Sequence, residues 1–342
     1  MFKQSFGSDN HSGIHPEILK ALIEVNQSHS ASYGTDELSR EFEDKLSKTL
    51  GTSLKSFFVF NGTAANVLAI KPFVKSYESI LCSDIAHLHV DECAAPEMFI
   101  GSKLQLLPSE NGKIKAQDIK THIQRLGDQH AVQPRLVSIT QPTEVGTIYS
   151  LEELKEIKNT CSEHNLFLHI DGARFVLNEK AMNCSLKTLI QTAQPDSLSF
   201  GGGKNGLMLG EAVVFFNTEY AKDFKYIRKQ AMQLPSKTRF FAAQFIKLLD
   251  VYNEIAEHEI KLAKLLEEKI KNLKNTEIAF PVQTNVVFLK FPKAWTKTLK
   301  QCRFFYMWDT GEWIARIMMS FDSTEEDVLE FYKTLKHLDE NH

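Results

Sequence analysis

Between residues 50 and 216, short apolar runs alternate with amphipathic stretches. The runs are SFFVF (56–60), SILCS (79–83), KLQLL (103–107), RLVSIT (135–140), LFLHID (166–171), SLSF (197–200) and EAVVFF (211–216). Each is too short and too continuously apolar for a surface helix, so all seven read as buried strands. Helical periodicity between them predicts helices over 116–126 and 151–164. The second opens on a capping box, Ser150 with Glu153. Continuous apolar strands separated by helices describe a buried, mainly parallel, seven-stranded sheet in an α/β domain.

The pattern changes after Gly210. A long charged helix is expected over 236–274, with apolar residues at helical spacing and lysines on its other face. The runs NVVFLKF (285–291), RFFYMW (303–308) and WIARIMMSF (313–321) follow, and then a last helix over 324–338 with Ser323 and Glu326 as its capping box. Strands grouped with flanking helices predict a smaller α+β domain. The expected division is an N-terminal segment plus large domain over 1–245 and a small C-terminal domain over 246–342.

Composition narrows the class without naming it. The 342 residues suffice for one large and one small domain, and 43% hydrophobic with 24% charged residues is ordinary for a soluble protein. Forty Lys and Arg against forty-three Asp and Glu leave a net charge of −3, which argues against a nucleic-acid or acidic-membrane partner. The opening MFKQSFGSDNHSG has no apolar signal-peptide core, and no run is long enough to span a bilayer. Cys82, Cys93, Cys161, Cys184 and Cys302 are scattered, odd in number and without a CxxC pair. Reduced thiols in a cytoplasmic protein are expected.

In parallel sheets ligands bind beyond the carboxyl ends of the strands, and candidate chemistry gathers there. SLSF runs into Gly201, Gly202, Gly203 and Lys204. Glycines clear the approach to the backbone, and a poorly solvated lysine amine becomes nucleophilic and able to form a Schiff base. A mobile surface loop is the bland alternative. A phosphate-binding P-loop fails on glycine spacing and on Asn205 where Ser or Thr is needed. SFFVF leads through Asn61, Gly62, Thr63 and Ala64 into an apolar helix, whose free N–H groups make either a phosphate cup or a plainly capped helix. LFLHID ends on Asp171, an acid suited to a protonated ring nitrogen or to a salt bridge with an arginine. His87, His89, Asp91 and Glu92 follow SILCS. With no distant fourth ligand they read as an imidazole lying against an aromatic ring or moving a proton, and no metal is expected. Arg316, the one charge inside WIARIMMSF, suits a carboxylate in a cleft or an internal ion pair. Phosphate cup, ring-nitrogen acid, Schiff-base lysine and carboxylate-binding arginine together are the parts needed for pyridoxal phosphate acting on an amino acid.

At this point the chain resembles a known family, the low-specificity L-threonine and phenylserine aldolases among the fold type I pyridoxal-phosphate enzymes. The resemblance rests on FGSDNHSG (6–13), YGTDELS (33–39), FNGTAAN (60–66), AHLHVDECAAPE (86–97), TQPTEVGTIYS (140–150), LHIDGARF (168–175), FGGGKNG (200–206) and RKQAMQLPSKTRF (228–240). It implies pyridoxal 5'-phosphate carried by Lys204, with Asp171 at the ring nitrogen and His87 stacked on the ring. It further implies phosphate contacts from Gly62, Thr63 and Ala64, and Ser8, Arg174 and Arg316 around the substrate carboxylate. A dimer of dimers with shared active sites is implied as well, Tyr33 and Lys237 reaching across the interface. Two departures stand out. The family's commoner FGGTKNG reads FGGGKNG here, so Gly203 lacks a hydroxyl beside the lysine. Glu144 stands where the wider family has a histidine, which leaves His87, Glu144 or a water as the base.

The resemblance implies retro-aldol cleavage of a β-hydroxy-α-amino acid such as threonine, allo-threonine or phenylserine to glycine and an aldehyde. The rivals are another pyridoxal-phosphate lyase or aminotransferase on the same scaffold, and a non-catalytic phosphate-ligand binding protein that uses the helix start at Thr63.

Overall fold

The computed structural model describes residues 4–341. All seven apolar runs form strands of one sheet: β1 (Lys55–Val59), β2 (Glu78–Ser83), β3 (Lys103–Leu107), β4 (Gln133–Thr140), β5 (Phe167–Gly172), β6 (Ser197–Phe200) and β7 (Glu211–Phe215). Their order is β1-β7-β6-β5-β4-β2-β3. Neighbours pair in parallel except that β7 runs antiparallel to both β6 and β1. The carboxyl ends of β1, β2, β4, β5 and β6 therefore share one edge, and the reversed β7 brings its first residue, Glu211, to that same edge. Helices cover both faces. One core packs Leu81, Val137, Ile170 and Phe200 against Phe42 and Phe245, and the other packs Val59, Ile80 and Val213 against Leu68 and Phe224.

A second, antiparallel sheet has the order β10-β11-β9-β8, with β8 (Glu277–Ile278), β9 (Val286–Lys290), β10 (Tyr306–Asp309) and β11 (Ile314–Met318). The helix Glu325–Glu340 packs on it through Val328, Phe331 and Leu335. The expected strand at 303–308 begins later, at Tyr306, because Phe305 turns into this core and Phe304 bridges to Ser5. Phe6 joins the same core, so the segment around it lies against the small sheet. The long helix runs unbroken from Thr238 to Ile270. Its residues as far as Ile255 face the large core, and Leu262, Ala263, Leu266 and Ile270 face the small one.

Two local expectations shift. The helix expected over 116–126 stops at His122. The last helix is capped by Thr324 with Asp327, not by Ser323 with Glu326. Asp327 accepts from the Thr324 amide at 2.9 Å and from Arg303 at 2.7 Å, while Ser323 Oγ accepts from the Ser320 amide. The distant Arg303 selects the box one residue along.

Candidate active site

The shared strand edge encloses a cavity of about 390 Å³ lined by Gly62, Thr63, His87, Glu144, Asp171, Arg174 and Lys204 among others. Each arrives by the same local logic, a buried strand that ends and a turn that presents the next polar residues. Leaving β6, Gly201 and Gly202 are obligatory. A β-carbon at Gly201 would lie 2.0 Å from Ala173 O, and one at Gly202 2.3 Å from Gly210 O. The turn that lifts Lys204 into the cavity closes only without those side chains. Burial pushes the Lys204 amine below its ordinary range, and Arg174 pushes the same way, against Asp9, Asp171 and Glu211.

Asp171 is the penultimate residue of β5 and is 6% exposed. Asn66 Nδ2 donates to its Oδ2 at 2.8 Å and the Ala173 amide to its Oδ1 at 2.9 Å. Neutral donors, not an arginine, hold this carboxylate, so its charge is left for a cation in the cavity. Behind it His169 is fully buried between Ser138 and Ser199, at 2.9 and 3.0 Å, and burial pushes its pKa down to about 4.

The helix Gly62–Ile70 points its N-terminus into the cavity. Asn61 caps it by accepting from the Ala64 amide at 2.9 Å. That contact engages the amide expected of Ala64 as a phosphate donor, and Ala64 does not line this cavity. Gly62 and Thr63 remain as the donors, and a β-carbon built on Gly62 meets nothing within 4 Å. Gly203 lines the cavity too. Its amide and that of Gly202 donate to Glu211, at 3.3 and 2.5 Å.

The acidic and histidine run after β2 is divided by its short helix, His87–Val90. His89 and Asp91 are exposed, whereas His87 faces the cavity and Glu92 is buried beneath it. His87 Nδ1 lies 2.8 Å from Glu92 Oε1, and the His87 amide donates to Glu144 Oε1 at 2.9 Å. The Thr140 hydroxyl donates to the same Glu144 oxygen at 2.6 Å, leaving Oε2 buried and unpaired. Burial pushes the Glu144 carboxyl up, against those two donors.

The two arginines part ways. Arg174 is held by Asp9 through two contacts, at 2.5 and 3.1 Å. Burial would push the Asp9 carboxyl up, yet Arg174 holds it below the usual carboxylate range. The guanidinium expected to meet substrate thus already has a carboxylate partner. Arg316 has none among the described residues; its Nη2 donates to Gly7 O at 3.0 Å and its Nε is buried and unpaired. Among the described residues Arg316 makes no internal ion pair, and Arg174 makes one instead. Ser8 adjoins this corner and caps the turn Asp9–His11 by accepting from the Asn10 amide. Tyr33 and Lys237 are exposed and line no part of the cavity within this chain. The Tyr33 ring meets Lys229 instead, at 5.8 Å.

Asp9, Asn66, Glu92 and Glu211 escaped the sequence reading as site residues. The first three lie inside motifs already conspicuous there, and Glu211 opens an apolar strand. A charged residue adjoining such a strand end was the available signal.

An aldehyde-reactive amine, a carboxylate for a ring cation, an imidazole and two free helix amides fit a phosphorylated pyridine aldehyde. The class these features define is a pyridoxal-phosphate lyase. The chain belongs to the beta-eliminating lyase family, whose sequence pattern matches residues 5–293, and this family depends on pyridoxal phosphate. The chain is 42% identical over 336 residues to the low specificity L-threonine aldolase of Pseudomonas aeruginosa, covering 97% of each protein. It is 28% identical to the low specificity L-threonine aldolase of Saccharomyces cerevisiae, over 81% of this chain and 71% of that one. Among solved structures, the threonine aldolase of Leishmania major superposes with a TM-score of 0.92 at 26% identity, over 98% of this chain and 99% of that one.

Proposed function

We propose that the protein is a low-specificity L-threonine aldolase. It cleaves threonine, allo-threonine and related β-hydroxy-α-amino acids to glycine and an aldehyde. The observation that carries this reading is one cavity into which the desolvated Lys204 amine, Asp171, His87 and the free amides of Gly62 and Thr63 all open. The 42% identity to an aldolase over 97% of both chains supports the choice of reaction.

Lys204 Nζ, held below its ordinary range by burial, is the amine that would hold the cofactor through its aldehyde. The Gly62 and Thr63 amides, with the Thr63 hydroxyl, hold the phosphate at a helix N-terminus. Asp171 would keep a proton on the ring nitrogen, and His87 would lie against the ring. When bound, pyridoxal phosphate supplies the electron sink for the substrate carbon that loses its bond. Arg316, its Nε unpaired, takes the substrate carboxylate, while Arg174 and Ser8 shape the corner around it. His87 and Glu144 are the two groups placed to accept the β-hydroxyl proton. Tyr33 and Lys237 serve a neighbouring subunit's cavity in a homotetramer, supported by the resemblance and by their exposure. A cytoplasmic setting is part of the same reading, and no helix among the described residues is long and apolar enough to cross a membrane.

Product analysis with L-threonine, L-allo-threonine and phenylserine tests the proposal. Glycine with equimolar aldehyde is expected. Keto acid with ammonia would move the protein to an eliminating or transaminating chemistry instead.

A further inference from the structure

Glu92, at the base of the cavity, contacts His87 and Asn66 and is joined through Asn66 to Asp171. Its side chain has no exposure. Its Oε1 lies 2.8 Å from His87 Nδ1 and 3.2 Å from Asn66 Nδ2, and that same Asn66 nitrogen donates to Asp171 at 2.8 Å. A carboxylate only accepts, so the proton between the pair belongs to His87 Nδ1. The second ring nitrogen, Nε2, then carries a lone pair. It has no hydrogen bond among the described residues, on a ring that is 36% exposed along the cavity wall. The His87 amide is tied to Glu144, so the residue is held by both backbone and side chain.

We propose that Glu92 is a positioning residue, which locks His87 in the tautomer whose Nε2 takes the substrate's β-hydroxyl proton and steadies the imidazolium that forms. The proposal rests on the aldolase reading above and names the base that reading left between two residues. The β-hydroxyl proton passes to Nε2, and the O–H electron pair becomes the second bond of the aldehyde carbonyl. The Cα–Cβ pair stays with the glycine fragment, which takes a proton at Cα. The Nδ1–H bond to Glu92 persists throughout. Glu144 has one oxygen committed to the His87 amide and the Thr140 hydroxyl, and it anchors the histidine rather than competing with it.

The groups facing His87 are Glu92 and Glu144 beside it, Asp171 from β5 and Lys204 from the turn after β6. The bond to Glu92 raises the His87 pKa above its ordinary 6.5, Asp171 adds to this, and burial and Lys204 oppose it. The basic form therefore accumulates as pH rises through a value above 6.5, and the acidic limb of kcat/KM lies there. Glu92→Gln removes the charge and leaves the burial. Its limb moves to lower pH, and its plateau falls by about 100-fold as the wrong tautomer becomes accessible. Glu92→Asp keeps the charge and recovers part of the rate with the limb restored. A purely structural role lowers the plateau without moving the limb.

The deciding measurement is a nitrogen NMR titration of histidine-labelled protein, with and without cofactor, His87 being assigned from the His87→Gln spectrum. Wild-type protein is expected to show neutral His87 protonated at Nδ1 and titrating above 6.5. A proton on Nε2, a titration at or below 6.5, or an unmoved limb in Glu92→Gln overturns the proposal. The wild-type spectrum decides even if Glu92→Gln fails to fold. If wild-type protein releases no glycine, the aldolase reading and the proton transfer fall together, while the spectrum still judges the tautomer lock separately.

Discussion

Lys204 shows how little of a residue's chemistry lies in the residue itself. Its lowered pKa comes from burial at a strand edge, in a turn that two glycines allow to close. Lys204→Ala is expected to abolish both turnover and the visible absorption of bound cofactor, read by spectrophotometry and aldehyde release. Cleavage at the wild-type rate would remove Lys204 from the mechanism. Glu211 is the opposite case, a charge in an unfavourable place. Burial pushes its carboxyl up to about 7, against the amides of Gly202 and Gly203 and against Lys204. Its ordinary value is 4.5. Between pH 4.5 and about 7 the unfolded chain therefore loses a proton that the folded chain keeps. The contribution of Glu211 to stability falls as pH rises through that window and is level above it. Glu211→Gln, whose carbonyl can still accept an amide, should gain on the wild type from pH 5 to pH 8 by up to about 3 kcal/mol. Denaturant titrations at the two pH values check this, and an equal difference at both would mean that Glu211 ionises normally.

The elements were the most legible part of the chain. The inner strands of the large sheet are buried on both faces, so their apolar runs are nearly continuous and stand out against the amphipathic helices. The helix Leu151–Glu163 was as plain, because Ser150 and Glu153 satisfy each other's backbone amides within four residues. The last helix misled by one position, since Ser323-Thr324 followed by Glu325-Glu326-Asp327 offers two boxes and Arg303 chooses between them. Thr324→Ala removes that cap and should lower stability by about 1 kcal/mol, measured by chemical denaturation. Ser323→Ala leaves the cap intact and serves as the comparison. The long helix Thr238–Ile270 carries one continuous periodicity, so nothing in its pattern marks where it passes from one core to the other.

At the scale of the molecule, three distant segments meet around the substrate corner. Arg174 follows β5, Asp9 comes from the start of the chain, and Arg316 lies on the small sheet with its guanidinium on Gly7 O. The loop after β4 locks the two sheets together. Gly146 has φ +76, and a β-carbon there would lie 2.3 Å from Val286 Cγ1, while Thr284 Oγ1 donates to Gly146 O at 2.8 Å. Gly146→Ala is therefore expected to cost roughly 2–4 kcal/mol through backbone strain and overpacking. Activity should fall with it, because Glu144 lies two residues away. Thermal unfolding and aldehyde release are the measurements, and an unchanged melting temperature would show that the two sheets are not coupled there.

The sequence by itself determined the seven strands of the large sheet, three strands of the small one and the positions of Lys204, Asp171, His87 and Arg316. Those depend on local periodicity and on polar residues that follow apolar runs, information written within a few residues. Which partner each charge takes was decided only by the tertiary structure. Asp9 and Arg174 are 165 residues apart, and Asn66 and Asp171 105 apart. A buried charge selects whatever donor the folded chain brings within 3 Å, and sequence spacing carries no record of that choice. So it was the fold that assigned Arg174 to an internal pair, left Arg316 open, and set Glu92 behind His87.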